Sequence, residues 1–368
     1  MTSDAVLIHA APETSPDLFH VIPAGIVDPF TYVETGDRRA ATVSVLDEDK
    51  VAPLGIEIVD VYALGRDELQ AQGTLSRDQV DHEIALRVCK QLGVSSARVP
   101  PTFPLAVADH LRAGGIELIP DEELFVDRRR TKTDAQLEGI RRAQRAADAA
   151  MAVAADMIRK GGTTAEDVRA AMQATCGEHG CELPADVVVA PGAQGAVGHD
   201  SGSGPLGDGE AVVVDIWPRD KASRCWADMT RTFIAGGGEP SEEIARYWEL
   251  TRESLRRIYP MVRAGADGTA IYAASCEPYH EAGLKTQLNK EPGTVLRDGF
   301  FHGLGHGVGL DIHERPGLGR TPDTLRAGDV ITLEPGCYRQ GYGGVRLEDL
   351  VLVTEDGCET LTDFPYEL

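Results

Sequence analysis

The chain has 368 residues, 42% of them hydrophobic, which is more than one compact domain ordinarily contains and enough for sizeable cores in two. Its formal charge of -23, with no block of Lys and Arg to offset it locally, repels phosphate backbones and anionic lipid headgroups. Nucleic acid and membrane are therefore excluded as expected partners, and most of the acidity serves solubility rather than substrate choice.

From the amino terminus, Met1 to Ala11 lacks a basic region and carries Asp4, so it does not read as a secretion signal. Residues up to about 130 mix short apolar runs, such as Val21 to Ile26, Thr42 to Leu46 and Ile116 to Ile119, with Pro and Gly, as a small α/β domain would. The charged run Asp127 to Arg130 marks its boundary, giving domains 1–130 and 131–368. Thr133 and Gln136 then stand at capping-box spacing ahead of a helical pattern from Leu137 to Ile158, which Gly161-Gly162 ends. Within it, Ala143 to Ile158 is the most apolar candidate for a membrane span, but Asp148 and Asp156 interrupt it, so it reads as amphipathic rather than membrane-spanning. Thr163 and Glu166 are positioned to cap a second helix. Strand patterns follow at Asp186 to Ala190, Ala211 to Trp217 and Met229 to Ala235, then helical ones at Glu242 to Tyr259 and Thr269 to Ala282. The chain closes with strand patterns at Val330 to Glu334 and Val345 to Val353, so the second domain is α+β. Seven scattered cysteines without a Cys-x-x-Cys pair suggest neither a disulfide framework nor a zinc knuckle, and a reduced, cytoplasmic setting is expected.

Three segments carry chemistry. The apolar strand Ala211 to Val214 ends in Asp215, and Asp228 directly precedes another strand, so a turn between them can set both carboxylates at one end of a hairpin. The segment from His302 to Glu314 holds three imidazoles, His302, His306 and His313, among glycines that permit close packing. Glu334 and Glu348 lie on or at the ends of the last strands. Each acid alone reads as an ordinary turn or strand-end residue. Together, four carboxylates and a histidine form an oxygen-rich set suited to two divalent cations. Gly202-x-Gly204-x-x-Gly207 has dinucleotide-loop spacing, yet a strand follows where a helix should begin, so no nucleotide cofactor is inferred.

These residues resemble the pita-bread metallopeptidases of the creatinase and methionine aminopeptidase superfamily, in the branch of aminopeptidase P and proline dipeptidase. The resemblance is strong from about residue 134 to 368 and rests on the His302 to Glu314 segment and the order Asp215, Asp228, His306, Glu334, Glu348. It implies a pita-bread catalytic domain preceded by a creatinase-like amino-terminal domain, two divalent metal ions, most often manganese with cobalt, iron or zinc as alternatives, and a homodimer. It also implies a peptide substrate with proline second, hydrolysed before the proline by metal-activated water. By position it makes Asp228, His306 and Glu334 ligands of one ion, Asp215 a ligand of the other and Glu348 a bridge. Glu334 is further implied as general base, His302 and His313 as donors to substrate oxygens, and His199 as a proton donor to the leaving nitrogen. Arg346, two residues before Glu348 and so on the same strand face, can orient a carboxylate or merely support Glu348.

Two departures from the family pattern stand out. The interval from Asp215 to Asp228 is lengthened in its turn, Arg219 to Trp226, and Gly198 replaces a common proline before His199. Asp311 and Glu314 are read as structural, and Cys225 and Cys337 as idle. Arg315 and Arg320 are candidates to capture a proline carboxylate, with surface solvation the competing reading of each. The competing functions are a metal-dependent lyase on the same fold and a binding protein that has lost activity. Restriction to dipeptides is left open.

Overall fold

The first strand owes its burial to the small and branched apolar side chains of Ala5 to Ile8, and the computed structural model describes the chain from Ala5 to Leu368. The chain divides into two units, one up to Arg129 and one from Arg130. In chain order, the first contains β1 (Ala5–Ala10), α1 (Pro16–Val21), β2 (Phe30–Thr35), β3 (Arg38–Ala41), α2 (Glu48–Val51) and β4 (Glu57–Ile58). It continues with α3 (Arg66–Ala71), α4 (Arg77–Gln91), β5 (Ser96–Val99), α5 (Leu105–Ala113), β6 (Glu117–Pro120) and α6 (Glu122–Arg130), whose last residue opens the second unit. The strands form one mixed sheet in the order β4-β3-β2-β1-β5-β6. Leu7, Ala97 and Leu111 sit in one of its two cores and Ile8, Leu18 and Tyr32 in the other. Of the expected apolar runs, Val21 ends α1 and Thr42 to Leu46 leaves β3 as irregular chain, while Ile116 to Ile119 supplies most of β6. The charged run Asp127 to Arg130 is helical, with Arg128 bound to Glu34 at 2.6 Å and Arg129 to Asp17 at 2.8 Å.

The second unit begins with α7 (Asp134–Lys160), closed at its start by the expected Thr133–Gln136 capping box and at its end by Gly161 with φ 73°. The next helix, α8 (Ala165–Glu178), starts one residue later than the sequence suggests. Thr164 caps it with Asp167, because the Thr163 carbonyl is taken by the Leu206 N–H; Glu166 instead accepts from the Gly204 N–H. Then come β7 (Cys181–Glu182), β8 (Val188–Pro191), β9 (Ala211–Ile216), β10 (Arg219–Asp220), β11 (Met229–Ile234), α9 (Glu242–Ile258) and α10 (Gly268–Glu281). The last strands are β12 (Asp298–Gly299), β13 (Gly305–Gly307), β14 (Glu314–Leu318), β15 (Val330–Leu333), β16 (Gly336–Arg339), β17 (Gly343–Arg346), β18 (Asp349–Val353) and β19 (Cys358–Thr360). They build sheets ordered β11-β9-β8, β14-β13-β15-β18-β19 and β12-β16-β17, with a small β10-β7 pair. The segment Val345 to Val353, expected as one strand, is two strands in two sheets, and Leu347-Glu348 is the passage between them. Ile244, Tyr272, Phe300, Leu333 and Val345 belong to one buried cluster beneath these sheets. Among the described residues no helix is long and apolar enough to cross a membrane.

Candidate metal centre

Antiparallel pairing of β9 with β11 sets Asp215 opposite Thr230 and Ile216 opposite Met229, so Asp228 emerges one residue before the ladder on the side of Asp215. The long connection is absorbed locally. An Arg219–Trp226 bridge and a left-handed Arg224 at φ 60° close the turn without moving the register, and Asp228 is 5% exposed. From the five-stranded sheet comes His306, at the middle of β13, with its N–H on Thr332 Oγ1 at 3.0 Å. A Cβ at Gly305 would overlap the Thr332 carbonyl, and one at Gly307 the Arg315 carbonyl, so only glycine lets β14 and β15 close this tightly on the histidine. Glu334 follows β15, its N–H on the Leu304 carbonyl at 2.8 Å. Glu348, in the passage between β17 and β18, is doubly held by Thr230: its N–H donates to the Thr230 carbonyl at 3.0 Å, and its Oε2 accepts from Thr230 Oγ1 at 2.7 Å.

Three sheets thus deliver their acids to one place. Ligand atoms of Asp228, His306 and Glu348 lie within 4.8 Å of one another, a group that could hold a metal ion. His306 Nε2 is 3.7 Å from both Asp228 Oδ2 and Glu334 Oε1. Its Nδ1 lies 3.1 Å from the Gly307 carbonyl, an acceptor only, so Nδ1 carries the proton and the Nε2 lone pair faces the carboxylates. Asp215 Oδ2 accepts from Arg346 Nη2 at 2.5 Å, while its Oδ1 is buried without a hydrogen bond. These are the features a bound cation would complete.

Electrostatics agree. Burial, then the charges of Glu348, Asp215 and Glu334, push the Asp228 carboxyl far up. Burial and the charges of Glu334 and Asp215 do the same to Glu348. Glu334 is raised to about 8, by burial first, with Arg346 pulling down against Asp215. Four carboxylates face one guanidinium, and the excess negative charge must be met by protons or by cations. Burial, with Arg346 and His199 nearby, lowers His302 to about 3, and burial with His313 lowers His306 to about 4, so both rings are neutral.

All nine expected site residues line one cavity of about 870 Å³, together with Asp186, Val188, Trp217, Phe301 and Ile312. His313 is exposed, its ring 4.3 Å from that of His306, and His199 is exposed as well. His302 uses both nitrogens within the protein: Nδ1–H on the Gly303 carbonyl at 2.8 Å, and Nε2 accepting from the Tyr338 hydroxyl at 2.9 Å. Arg346 does not share a strand face with Glu348, because β17 ends at Arg346; its guanidinium serves Asp215, Tyr338 and Thr230 instead. Arg315 is bound to Asp323 at 2.9 Å, Arg320 is exposed, and neither lines the cavity. Glu314 is buried against Lys132. Cys225 and Cys337 are buried, their thiols pushed up chiefly by burial. Thr230 and Tyr338 escaped sequence reasoning, although Thr230 could have been found as the hairpin partner of Asp215.

Buried oxygen donors and one imidazole at the floor of a peptide-sized cavity define a metal-dependent enzyme centre. Residues 138–355 match the model of metallopeptidase family M24. The chain is 33% identical to the Xaa-Pro dipeptidase of Pyrococcus furiosus over 250 residues, 67% of each chain. It is 29% identical to the Xaa-Pro dipeptidase of Pyrococcus horikoshii over 346 residues, 93% of this chain and 92% of that one. The structure of an Xaa-Pro dipeptidase from Bacillus anthracis is similar with a TM-score of 0.82 at 25% identity, covering 100% of this chain and 94% of that one. The chain belongs to metallopeptidase family M24. Its fold is the pita-bread catalytic domain preceded by a smaller amino-terminal domain.

Proposed function

We propose that this metallopeptidase hydrolyses the bond between a first residue and proline, with Asp215, Asp228, His306, Glu334 and Glu348 holding two divalent ions. Asp228, His306 and Glu334 would hold one ion and Asp215 the other, with Glu348 available to both. The observation that carries this is the pair of open ligand atoms, Asp215 Oδ1 and His306 Nε2, among carboxylates that lack enough positive charge. Bound cations supply Lewis-acid polarisation of the carbonyl and a water acidic enough to act near neutral pH. Glu334, at the edge of that site, would accept the proton of the attacking water and pass it on. Arg346 orients Asp215. His313 and His199, both exposed to the cavity, donate to the substrate oxygen and the leaving nitrogen; a donor role for His302 asks its ring to release one of its two protein contacts.

The specificity is supported by the similarity to two Xaa-Pro dipeptidases. Manganese as the native metal, a homodimer, a cytoplasmic location and domains 1–130 and 131–368 complete the proposal. The test is hydrolysis of Xaa-Pro and Xaa-Pro-Yaa peptides by the manganese-loaded protein. Cleavage before proline is expected, and cleavage of dipeptides alone would make it a dipeptidase. Failure to cleave either, in protein that has taken up two ions per chain, would end this reading.

A further inference from the structure

One wall of the cavity carries chemistry that hydrolysis itself does not use. Val188 of β8 is paired with Asp215 of β9; Asp186 lies in the turn two residues before Val188, and Trp217 lies two residues after Asp215, just past the end of β9. Both line the cavity, Trp217 half-buried and Asp186 exposed, with Val188, Val197 and Ile312 beside them. Asp186 forms no ion pair among the described residues; only its backbone carbonyl is engaged, by Ser201 Oγ at 2.7 Å. An indole and a carboxylate without an ion-pair partner in the same wall suit an organic cation.

A dipeptide Xaa-Pro offers four groups to such a wall. Its carboxylate would be repelled by Asp186, and its proline ring has no charge. The α-ammonium is two bonds from the scissile carbonyl carbon, so it must stay close to the metal-binding carboxylates. Asp186 stands two residues along the chain from Val188, the strand partner of Asp215, a separation of at most about 7 Å. A lysine or arginine side chain, with bonds of roughly 1.5 Å each, spans that distance from its own Cα.

We propose that Asp186 and Trp217 form the subsite for the side chain before the scissile bond and select lysine and arginine there. This rests on the Xaa-Pro reading above. The manganese-loaded protein, wild type and Asp186→Asn, is assayed for kcat/KM on Arg-Pro, Leu-Pro and Glu-Pro. Wild type prefers Arg-Pro to Leu-Pro by about tenfold, with Glu-Pro poorest, and the variant lowers the Arg-Pro to Leu-Pro ratio by about tenfold. Trp217→Leu, which keeps an apolar side chain in the wall, lowers that ratio less. A wild-type ratio of one or below overturns the subsite, as does an equal loss on both peptides in Asp186→Asn, which would assign the carboxylate to the common α-ammonium. Failure to cleave any of the three removes the Xaa-Pro reading and this inference with it, whereas cleavage without discrimination removes only the inference.

Discussion

Glu348 and Asp349 are adjacent in sequence and equally buried, yet they belong to interiors built on opposite principles. Asp349 is 1% exposed and bound to Arg231 at 2.9 Å, and accepts from the hydroxyls of Tyr259 and Tyr366. The other Arg231 N–H groups reach the carbonyls of Thr230, Glu348, Phe364 and Pro365, between 2.7 and 3.2 Å, so all five donors are used and the charges cancel. Glu348 instead faces three further carboxylates across a cavity with one guanidinium to share, and burial first, then the charges of Glu334 and Asp215, drive its pKa up. Arg130, paired with Asp329 at 2.5 Å and Asp323 at 3.2 Å, repeats the saturated arrangement elsewhere in the same unit. Where buried charge is balanced and every donor placed, it fixes the chain; where it is left in excess, it waits for a ligand.

That contrast can be broken from either side. The largest effect is expected at the unbalanced centre: Glu334→Ala should cost about a thousandfold or more in turnover while the metal-free protein melts no lower than wild type, because one repelling carboxylate is gone. Comparable turnover in that variant would remove Glu334 from the chemistry. On the balanced side, Arg231→Met should cost about 3–5 kcal/mol in chemical denaturation, since Asp349 is left buried and unpaired. A loss below about 1 kcal/mol would show that the network is not what fixes the chain. The smallest effect concerns pH. In metal-free protein the raised carboxyls keep protons that the unfolded chain has lost, Glu334 between its ordinary 4.5 and about 8, so stability falls as pH rises through that interval. Divalent ions replace those protons. Chelation should therefore lower the melting temperature by several degrees more at pH 8 than at pH 5, and an equal shift at both would contradict the charge argument.

Much of this centre was legible before any coordinates. Asp215 announces itself because a carboxylate ending an apolar strand is costly, and the glycines around His306 signal a backbone pressed between neighbours. The helix α7 was readable from its cap and its periodicity. What periodicity does not encode is which sheet a strand joins, and Val345 to Val353 looks continuous although the chain changes sheets at Glu348. The face expected for Arg346 failed for the same reason, its same-face relation to Glu348 holding only within an unbroken strand, although its guanidinium does meet a carboxylate, that of Asp215. The cap of α8 slipped by one residue because a tertiary bond to Thr163, invisible locally, decides where the helix starts. Tyr338, Thr230 and the Arg231 network carry ordinary residue types whose meaning lies wholly in their partners.

The glycines flanking His306 also bear on how such an enzyme can be altered. With the Thr332 and Arg315 carbonyls already occupying the space a side chain would need, diversity introduced at 305 or 307 yields clones that cannot close the sheet. A combinatorial library drawn instead on positions 186, 197, 217 and 312 leaves the ligand cradle intact and varies only the surface that an incoming peptide meets.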